Sequence, residues 1–324
     1  MSRFPRLIST QIARFVSWKV TSRIDTPVFL PFYHVVSNKR LPYILNYHYR
    51  DEDEFEKELD FFLKYFKPVA LEYIYRNPGT KEKVFHLSFD DGLRECAEIV
   101  APVLVRKGIP ATFFINSGFV DNKDLFHRYK ASLILSELEK IPCFEAESFL
   151  EENGLNRRNI LQADYSQRNI LDQAAELMNL DFVSFLKNKK PYLTTPQARK
   201  LHHQGFTIGG HSHKHPEFWK ISEKKQFKQI RKSMEWVNEN IDPAIKAFSF
   251  PYTDDQISGN LLRRLREENV CDITFGTAGV KSDEVEMHFQ RYPVEKPGNF
   301  KLNLKSEFLY FELRNLAGKA TVKH

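Results

Sequence analysis

The sequence has few cysteines and no long hydrophobic run, and each shortage narrows the range of structures. Only three of its 324 residues are cysteines, and Cys96, Cys143 and Cys271 lie far apart without a Cys-x-x-Cys pair. They predict neither a disulfide framework nor a zinc knuckle, and they favour a reducing compartment. No window holds the roughly 18 apolar residues that a spanning helix needs, and the N-terminus lacks the apolar run and cleavage site of a signal peptide. We therefore expect a cytoplasmic protein.

The net charge says little about the binding partners of the protein. The 48 lysines and arginines exceed the 42 aspartates and glutamates by six. This bias fits an anionic surface or substrate, but it is too diffuse to predict nucleic-acid binding. A hydrophobic content of 42% with 28 phenylalanines is ample for a large core. Without repeats or low-complexity tracts, residues 1–324 are interpreted as a single domain.

The first 26 residues predict an amphipathic helix. Pro5 suits its first turn, and apolar residues at helical spacing alternate with basic ones. The apolar residues are Phe4, Leu7, Ile8, Ile12, Phe15 and Val16, and the basic ones are Arg3, Arg6, Arg14 and Lys19. A helix packed on the protein body and a basic helix lying on an anionic membrane surface fit this pattern about equally.

Strand and helix patterns alternate along most of the chain. Predicted strands lie at residues 29–36, 84–89, 111–116, 206–208, 244–250 and 270–275. Helical patterns between them favour a parallel α/β sheet or barrel. Residues 123–193 are polar and helical without a strand signal, and we interpret them as a helical insertion between two βα units. From the residue types alone, His34 in the predicted strand 29–36 is interpreted as a core histidine.

Two adjacent carboxylates end one predicted strand, in the segment SFDDG at Ser88–Gly92. Asp90 and Asp91 can share a pocket only if the chain turns there, which Gly92 permits. The C-terminal end of a parallel strand is also where α/β folds place their active sites. The alternative is an aspartate that caps the following helix.

Three histidines fall within five residues, in the segment IGGHSHKHPEF. His211 and His215 could reach one metal ion from a single turn, and His211 with His213 is the competing pair. Solvated loop histidines are the less favoured explanation. Two histidines and one aspartate leave coordination positions open, which is typical of catalytic rather than structural metal sites.

Together with Pro251-Tyr252, these segments resemble the motifs of the polysaccharide deacetylase family, carbohydrate esterase family 4. Ser88–Gly92 matches its T/S-F-D-D-G motif, and His211–His215 matches H-S/T-x-x-H. The resemblance covers about residues 27–122 and 194–295. It implies a distorted (β/α) barrel of about seven parallel strands, a divalent metal that is usually zinc, and an N-acetylated carbohydrate substrate.

The resemblance also implies a role for each matching residue. The metal ligands would be Asp91, His211 and His215, and the catalytic base would be Asp90. The backbone N–H of Tyr252 would stabilise the oxyanion. Arg291, in the segment QRYPV, would orient Asp90, with a surface or salt-bridged arginine as the alternative.

Some family features are missing, and one of them changes the interpretation of His34. Ser249 stands where many members carry an arginine, no D-x-x-x-W motif occurs, and no L-x-H motif follows residue 252 to supply the catalytic acid. A circularly permuted branch, similar to the poly-N-acetylglucosamine deacetylases, carries this histidine on an N-terminal strand in a Y-H-x-V context. Tyr33–Val36 matches that context, so His34 becomes the predicted general acid.

The implied activity is that of a metal-dependent hydrolase of carbon–nitrogen bonds other than peptide bonds. It would remove N-acetyl groups from a sugar or polysaccharide in surface glycan metabolism. Two alternatives stay open. An O-acetyl esterase would use the same site, and an inactive glycan-binding or assembly subunit would explain the missing motif residues.

Overall fold

Eight short parallel strands form one sheet that is nearly closed into a barrel and surrounded by helices. The structure, a computed structural model, describes residues 4–324, without the side chain of Phe4. Arg3 of the predicted amphipathic pattern lies outside the described residues. The strands are β1 Pro31–Tyr33, β2 Lys67–Pro68, β3 Val84–Phe85, β4 Leu87–Phe89, β5 Ala111–Ile115, β6 Thr207–Gly210, β7 Ala247–Ser249, β8 Ile273–Gly276, β9 Ser282–Asp283, β10 His288–Gln290, β11 Tyr292–Pro293 and β12 Thr321–Val322.

The helices lie mainly between consecutive strands of the barrel. They are α1 Phe4–Phe15, α2 Trp18–Thr21, α3 Glu52–Tyr65, α4 Leu71–Arg76, α5 Ala101–Lys107, α6 His127–Lys140, α7 Phe144–Glu152, α8 Arg168–Leu177, α9 Phe182–Lys189, α10 Thr195–His203, α11 Glu223–Asn240, α12 Gly259–Glu267 and α13 Phe300–Leu316. A π-helical turn at Cys96–Val100 leads into α5. No helix within residues 4–324 is long and apolar enough to cross a membrane.

One interrupted strand closes the barrel. The strand order is β10-β8-β7-β6-β5-β4-β1-β11, so the two ends of the sheet are β10 and β11. Only Arg291 separates these two strands along the chain. The same stretch therefore pairs with β8 on one side and with β1 on the other. The predicted (β/α) barrel of about seven parallel strands is confirmed, and the count is eight because Arg291 interrupts the last one.

Several predicted element boundaries are wrong because they follow hydrophobicity rather than hydrogen bonding. The predicted strand at 84–89 divides at His86, since β3 pairs with β2 whereas β4 pairs with β1 and β5. The predicted strand at 29–36 reduces to the three residues of β1. The helix α10 is capped by Thr194, whose side chain forms a reciprocal capping box with Gln197.

The N-terminal segment forms two helices rather than the one predicted over residues 1–26. Ser9 and Ala13, the small residues of α1, are buried against α13, and Arg6 pairs with Glu307 of α13 at 2.8 Å. Larger apolar side chains of this segment are exposed instead: Leu7, Ile8, Ile12, Phe15 and Val20. The side of α1 that packs on the protein is thus the small polar one, and its apolar side faces outward.

The segment at 123–193 contains the four helices α6 to α9 and no named strand. Its helices bury a cluster of their own that includes Ile134, Leu150 and Leu171. The first turns of α6 also contribute Tyr129 to a second cluster, which contains Val35 and Leu93 next to the barrel strands. The segment therefore packs against the edge of the barrel at which β1 and β4 end.

Candidate active site

All the sequence motifs meet at one edge of the barrel. His34 follows β1, Asp90 and Asp91 follow β4, His211 follows β6, and Tyr252 comes shortly after β7. Because these strands are parallel, their C-terminal ends lie on the same side of the sheet. The residues that the sequence singled out, from segments more than 200 positions apart, therefore come together.

Asp91, His211 and His215 form a compact buried set, called here the mouth cluster. Asp91 Oδ1 lies 3.2 Å from His215 Nε2 and 3.6 Å from His211 Nε2. The two Nε2 atoms are 3.2 Å apart. One oxygen and two nitrogens thus face a common point from three sides, within 4.8 Å of one another.

The hydrogen bonds of the mouth cluster fit a divalent metal. His211 Nδ1 donates to the Ser249 carbonyl at 2.9 Å, so the neutral ring directs its Nε2 lone pair inward. Burial lowers the pKa of His211 to about 4, which keeps the ring neutral. Asp91 Oδ1 is buried and has no hydrogen-bond partner within residues 4–324. A buried, unpartnered carboxylate oxygen is costly unless a cation satisfies it.

His213 points away from the mouth cluster. Its Nδ1 contacts the Ser117 hydroxyl at 2.9 Å, and the side chain is half-buried. The geometry therefore brings together His211 and His215, which lie four residues apart, and not the closer pair.

Asp90 is held by a buried arginine. Arg291 donates to both oxygens of Asp90, at 2.8 and 2.7 Å, and also to the hydroxyls of Ser88 and Ser249. Its guanidinium stacks on Phe32 inside the barrel at 4.3 Å. Burial tends to raise the pKa of Asp90, but the charge and hydrogen bonds of Arg291, together with the charges of His211 and His34, hold this pKa below its usual value. Asp90 is thus ionised and fixed in orientation.

Ser249 explains one departure from the family pattern. It stands where many members carry an arginine, and here its hydroxyl accepts a hydrogen bond from Arg291. The guanidinium that contacts Asp90 therefore comes from the closing strand instead of β7.

His34 has a carboxylate partner that the sequence analysis missed. Its Nδ1 lies 2.6 Å from Glu295 Oε2, and the backbone N–H groups of His34 and Val35 donate to Glu295 Oε1. Burial lowers the pKa of His34, but the charge and hydrogen bond of Glu295, together with the charges of Asp91 and Asp90, raise it to about 9. The imidazole stacks on Tyr47 and remains 26% exposed. A protonated and accessible ring at neutral pH suits a general acid.

Tyr252 lies over the mouth cluster. Its ring centroid is 4.6 Å from that of His215, and the Arg128 guanidinium covers the same ring at 4.3 Å. The Tyr252 hydroxyl is 3.3 Å from His127 Nε2. Its backbone N–H has no hydrogen-bond acceptor in the part of the chain that the structure describes. That N–H is therefore free to bind a developing oxyanion.

The helical segment at 123–193 supplies a site residue that no motif indicated. Tyr129 of α6 donates its hydroxyl to Asp91 Oδ2 at 2.9 Å, and Tyr47 contacts the same hydroxyl at 2.8 Å. This contact fixes the Asp91 oxygen that faces away from the two histidines. A tyrosine in an amphipathic helix gives no sequence signal for such a role, because its position depends on how α6 packs.

Four of the twelve non-glycine residues with positive φ in the described part of the chain lie in the motifs. Asp91, Ser212, His215 and Tyr252 have φ angles of 70°, 68°, 51° and 58°. Non-glycine residues rarely adopt this left-handed region, at a cost of about 1–3 kcal/mol each, and they cluster at functional sites. In the second motif the Ser212 hydroxyl accepts from the His215 N–H at 2.9 Å and supports the turn.

Comparisons with known proteins agree with this geometry. Residues 77–269, more than half of the chain, match the polysaccharide deacetylase family. A search of curated proteins finds no match. The fold is similar to that of the Streptococcus pyogenes deacetylase PplD, with a TM-score of 0.56 and 12% identity over 87% of this chain and 99% of that one.

Two further structures show the same fold. IcaB from Ammonifex degensii has a TM-score of 0.55 and 14% identity over 87% of this chain and 97% of that one. A de-N-acetylase from Aggregatibacter actinomycetemcomitans has a TM-score of 0.52 and 13% identity over 86% of this chain and 99% of that one. The predicted resemblance is confirmed, and the chain belongs to the polysaccharide deacetylase family, whose members are carbohydrate deacetylases.

Proposed function

We propose that this protein is a metal-dependent de-N-acetylase that acts on an N-acetylated sugar or polysaccharide in surface glycan metabolism. The observation that carries the proposal is a set of two hydrogen-bonded pairs at one barrel edge, Asp90 with Arg291 and His34 with Glu295. Asp90 is held ionised by Arg291, and His34 is held protonated by Glu295. Groups whose pKa values are pushed apart in this way are typical of acid–base catalysis.

Asp91, His211 and His215 would hold the metal. When bound there, a divalent ion supplies Lewis acidity and lowers the pKa of water towards ~7. Two imidazole nitrogens with one carboxylate oxygen favour zinc over magnesium or calcium, which prefer oxygen ligands. Three protein ligands leave room for water and substrate, as catalytic sites require.

The remaining residues move protons and stabilise charge. Asp90 accepts the proton of the water that attacks the acetamide carbonyl, and Arg291 keeps the carboxylate oriented while it does so. The Tyr252 N–H donates to the carbonyl oxygen as it becomes negative. His34 then donates its Nε2 proton to the departing nitrogen, because an amine leaves poorly as an anion.

The acid group favours an amide substrate over an ester. An alkoxide of an activated ester departs without a proton, so an esterase gains less from an imidazolium braced by Glu295. The assembled base, acid and ligand set also disfavours an inactive glycan-binding subunit.

Acetate and free amine, assayed separately, distinguish the three functions. The purified protein, loaded with zinc, is incubated with N-acetylhexosamine oligomers and with O-acetylated sugars. A de-N-acetylase releases acetate and amine in equal amounts from the first panel. Acetate from the O-acetyl panel alone would identify an esterase, and no acetate from either panel would contradict an enzymatic function for these substrates.

We also propose that the exposed face of α1 rests on an anionic membrane surface. Leu7 and Phe15 project outward at 62% and 89% exposure, and Arg14 and Lys19 are exposed beside them. An apolar helix face flanked by basic residues matches the chemistry of anionic lipid headgroups above acyl chains. The surface that we predict is the inner face of the cytoplasmic membrane.

Flotation of the full chain with liposomes tests this contact. The L7S/F15S variant should float less than the wild type with vesicles containing phosphatidylserine or phosphatidylglycerol. The control is Phe144→Ser, because Phe144 is 86% exposed and belongs to a different helix, α7. Equal flotation of wild type and L7S/F15S would refute the membrane contact without affecting the proposed catalysis.

A further inference from the structure

A second cluster of histidines and carboxylates lies on the outer side of the barrel wall, away from the catalytic residues. It consists of Asp254, Asp283, His288 and His324, called here the outer cluster. Its four side chains are 3%, 1%, 0% and 2% exposed. One ligand atom from each residue lies within 4.8 Å of all the others.

The closing strand separates the two clusters. Arg291 points into the barrel, where it binds Asp90. Its neighbour Gln290 points the other way, because side chains alternate along a strand. The Gln290 amide donates to both Asp254 and Asp283, which turns these two carboxylates towards one another. The outer cluster is therefore distinct from the mouth cluster.

Both imidazole rings of the outer cluster direct Nε2 at the carboxylates. His288 Nε2 lies 3.0 Å from Asp254 Oδ2, and His324 Nε2 lies 3.1 Å from Asp283 Oδ2. The other ring nitrogen of each is already occupied. His288 Nδ1 contacts the Thr274 hydroxyl at 2.8 Å, and His324 Nδ1 lies 3.0 Å from the Ile257 carbonyl.

The tautomer of His324 follows from its carbonyl partner. A carbonyl only accepts, so His324 Nδ1 carries a proton. The Nε2 of the neutral ring is then a lone pair facing a carboxylate oxygen at 3.1 Å, which is repulsive. Either a second proton or a cation must lie between them. His211 in the mouth cluster shows the same pattern, with Nδ1 donating to a carbonyl and Nε2 facing a carboxylate.

We propose that Asp254, Asp283, His288 and His324 form a second metal site of the structural type, which binds zinc. One divalent ion neutralises both buried carboxylates and leaves both imidazoles in the neutral form that binds metal. Two nitrogens and two oxygens exclude an all-oxygen magnesium or calcium site and suit tetrahedral zinc. Four protein ligands fill the coordination shell, so this ion is structural and not catalytic.

The site joins segments that no long strand ladder holds together. His324 follows β12, which pairs with β9, the strand that contains Asp283. Asp254 belongs to the loop that carries Tyr252, and Thr277 contacts both residues of that loop. The ion would therefore fasten the C-terminal segment to the barrel and support the loop behind the proposed oxyanion site.

Zinc content in single and double variants tests the proposal on the full chain. After chelation and reloading with zinc, wild-type protein should carry about two ions, and His211→Ala should keep about one. The variant H211A/H324Q should carry almost none, because both sites are then broken. The control is H211A/H203Q, since His203 is an exposed histidine at the end of α10 that belongs to neither cluster. The thermal unfolding temperature of His211→Ala should also rise with added zinc, and this rise should vanish in H211A/H324Q.

Two results separate this proposal from the catalytic one. If the wild type carried one zinc ion and His211→Ala carried none, the proposed outer site would be wrong and the proposed mouth site would stand. The outer cluster would then consist of two imidazolium–carboxylate pairs. Zinc in His211→Ala that persists in H211A/H324Q would also overturn it. If His324→Gln disturbs folding, H211A/D283N replaces it, and loss of zinc with an unchanged circular dichroism spectrum gives the same support.

Discussion

The mouth cluster and the outer cluster use the same residue types on opposite sides of one barrel wall. In each, an imidazole that donates Nδ1 to a backbone carbonyl directs its Nε2 at a carboxylate. They differ in number and setting. The mouth cluster has three proposed ligands beside the proposed base Asp90 and the proposed acid His34, whereas the outer cluster has four proposed ligands and no proposed acid or base. The difference teaches that residue type alone does not make a catalytic site. A catalytic site also needs an open coordination position and neighbouring groups whose pKa values are shifted in opposite directions.

Removing a mouth ligand should have the largest effect on activity. His211→Ala and His215→Ala should each lose the mouth ion and reduce turnover to background, because no other described side chain replaces the ligand. His213→Ala is the matched control and should keep both ion and turnover, since His213 contacts Ser117 instead. Metal analysis beside acetate release measures both. Equal losses of metal and turnover in all three histidine variants would show that His213 also belongs to the metal site.

Replacing His34 should reduce turnover by about 10²–10⁴-fold on amides, the range typical of a general acid. His34→Ala should retain the mouth ion and lose much less activity on an activated acetate ester, whose leaving group needs no proton. His288→Ala, in the outer cluster, is the control and should lower thermal stability without an amide-selective loss. An amide-selective loss in His288→Ala but not in His34→Ala would reverse the roles of the two histidines.

Replacing Arg291 should have a smaller effect, roughly 10–100-fold, from the loss of charge-assisted hydrogen bonds of about 1.5–3 kcal/mol. Arg291→Lys loses the paired contact with Asp90, so the pKa of Asp90 should rise. Because Asp90 acts in its ionised form, the acidic limb of the pH profile of kcat/KM should move to higher pH. Gln290→Leu, which alters only the outer side of the same strand, should leave that limb in place. A shift in both variants would mean that the barrel wall does not separate the clusters.

Replacing Glu295 should mainly move the alkaline limb of the profile. The Glu295 carboxylate is the main group that raises the pKa of His34, which lies at about 9, so Glu295→Gln should lower that pKa. The acid form of His34 is present below its pKa, and activity should therefore decline at a lower pH than in the wild type. At neutral pH we expect a loss of only a few-fold. Glu286→Gln is the control, because Glu286 is 77% exposed; an unmoved limb in Glu295→Gln would separate Glu295 from the acid.

The sequence predicted those parts of the site that depend on short spacings. Asp90 and Asp91 end one strand, and His211 and His215 share one turn, so their proximity follows from local structure. His34 required the family resemblance, because a lone histidine in an apolar strand has no local partner. Arg291 also required the family resemblance, because its contact with Asp90 depends on barrel closure.

Other features could not be predicted because their partners are distant in the sequence. Tyr129 reaches Asp91 only through the packing of α6, and Glu295 reaches His34 only because β11 pairs with β1. The outer cluster draws on residues between positions 254 and 324, and no spacing between them suggests a site. Strand boundaries were misjudged for a similar reason, since hydrophobicity continues through His86 whereas strand pairing changes there.

The division of labour between the two neighbouring aspartates is the central claim, and one paired measurement tests it most directly. Zinc content and acetate release are compared in Asp90→Asn and Asp91→Asn. We predict that both variants lose turnover by at least about 10²–10⁴-fold, that Asp90→Asn keeps the full zinc content of the wild type, and that Asp91→Asn loses the mouth ion. Loss of the ion from Asp90→Asn, or turnover retained without the Asp90 carboxylate, would contradict the account.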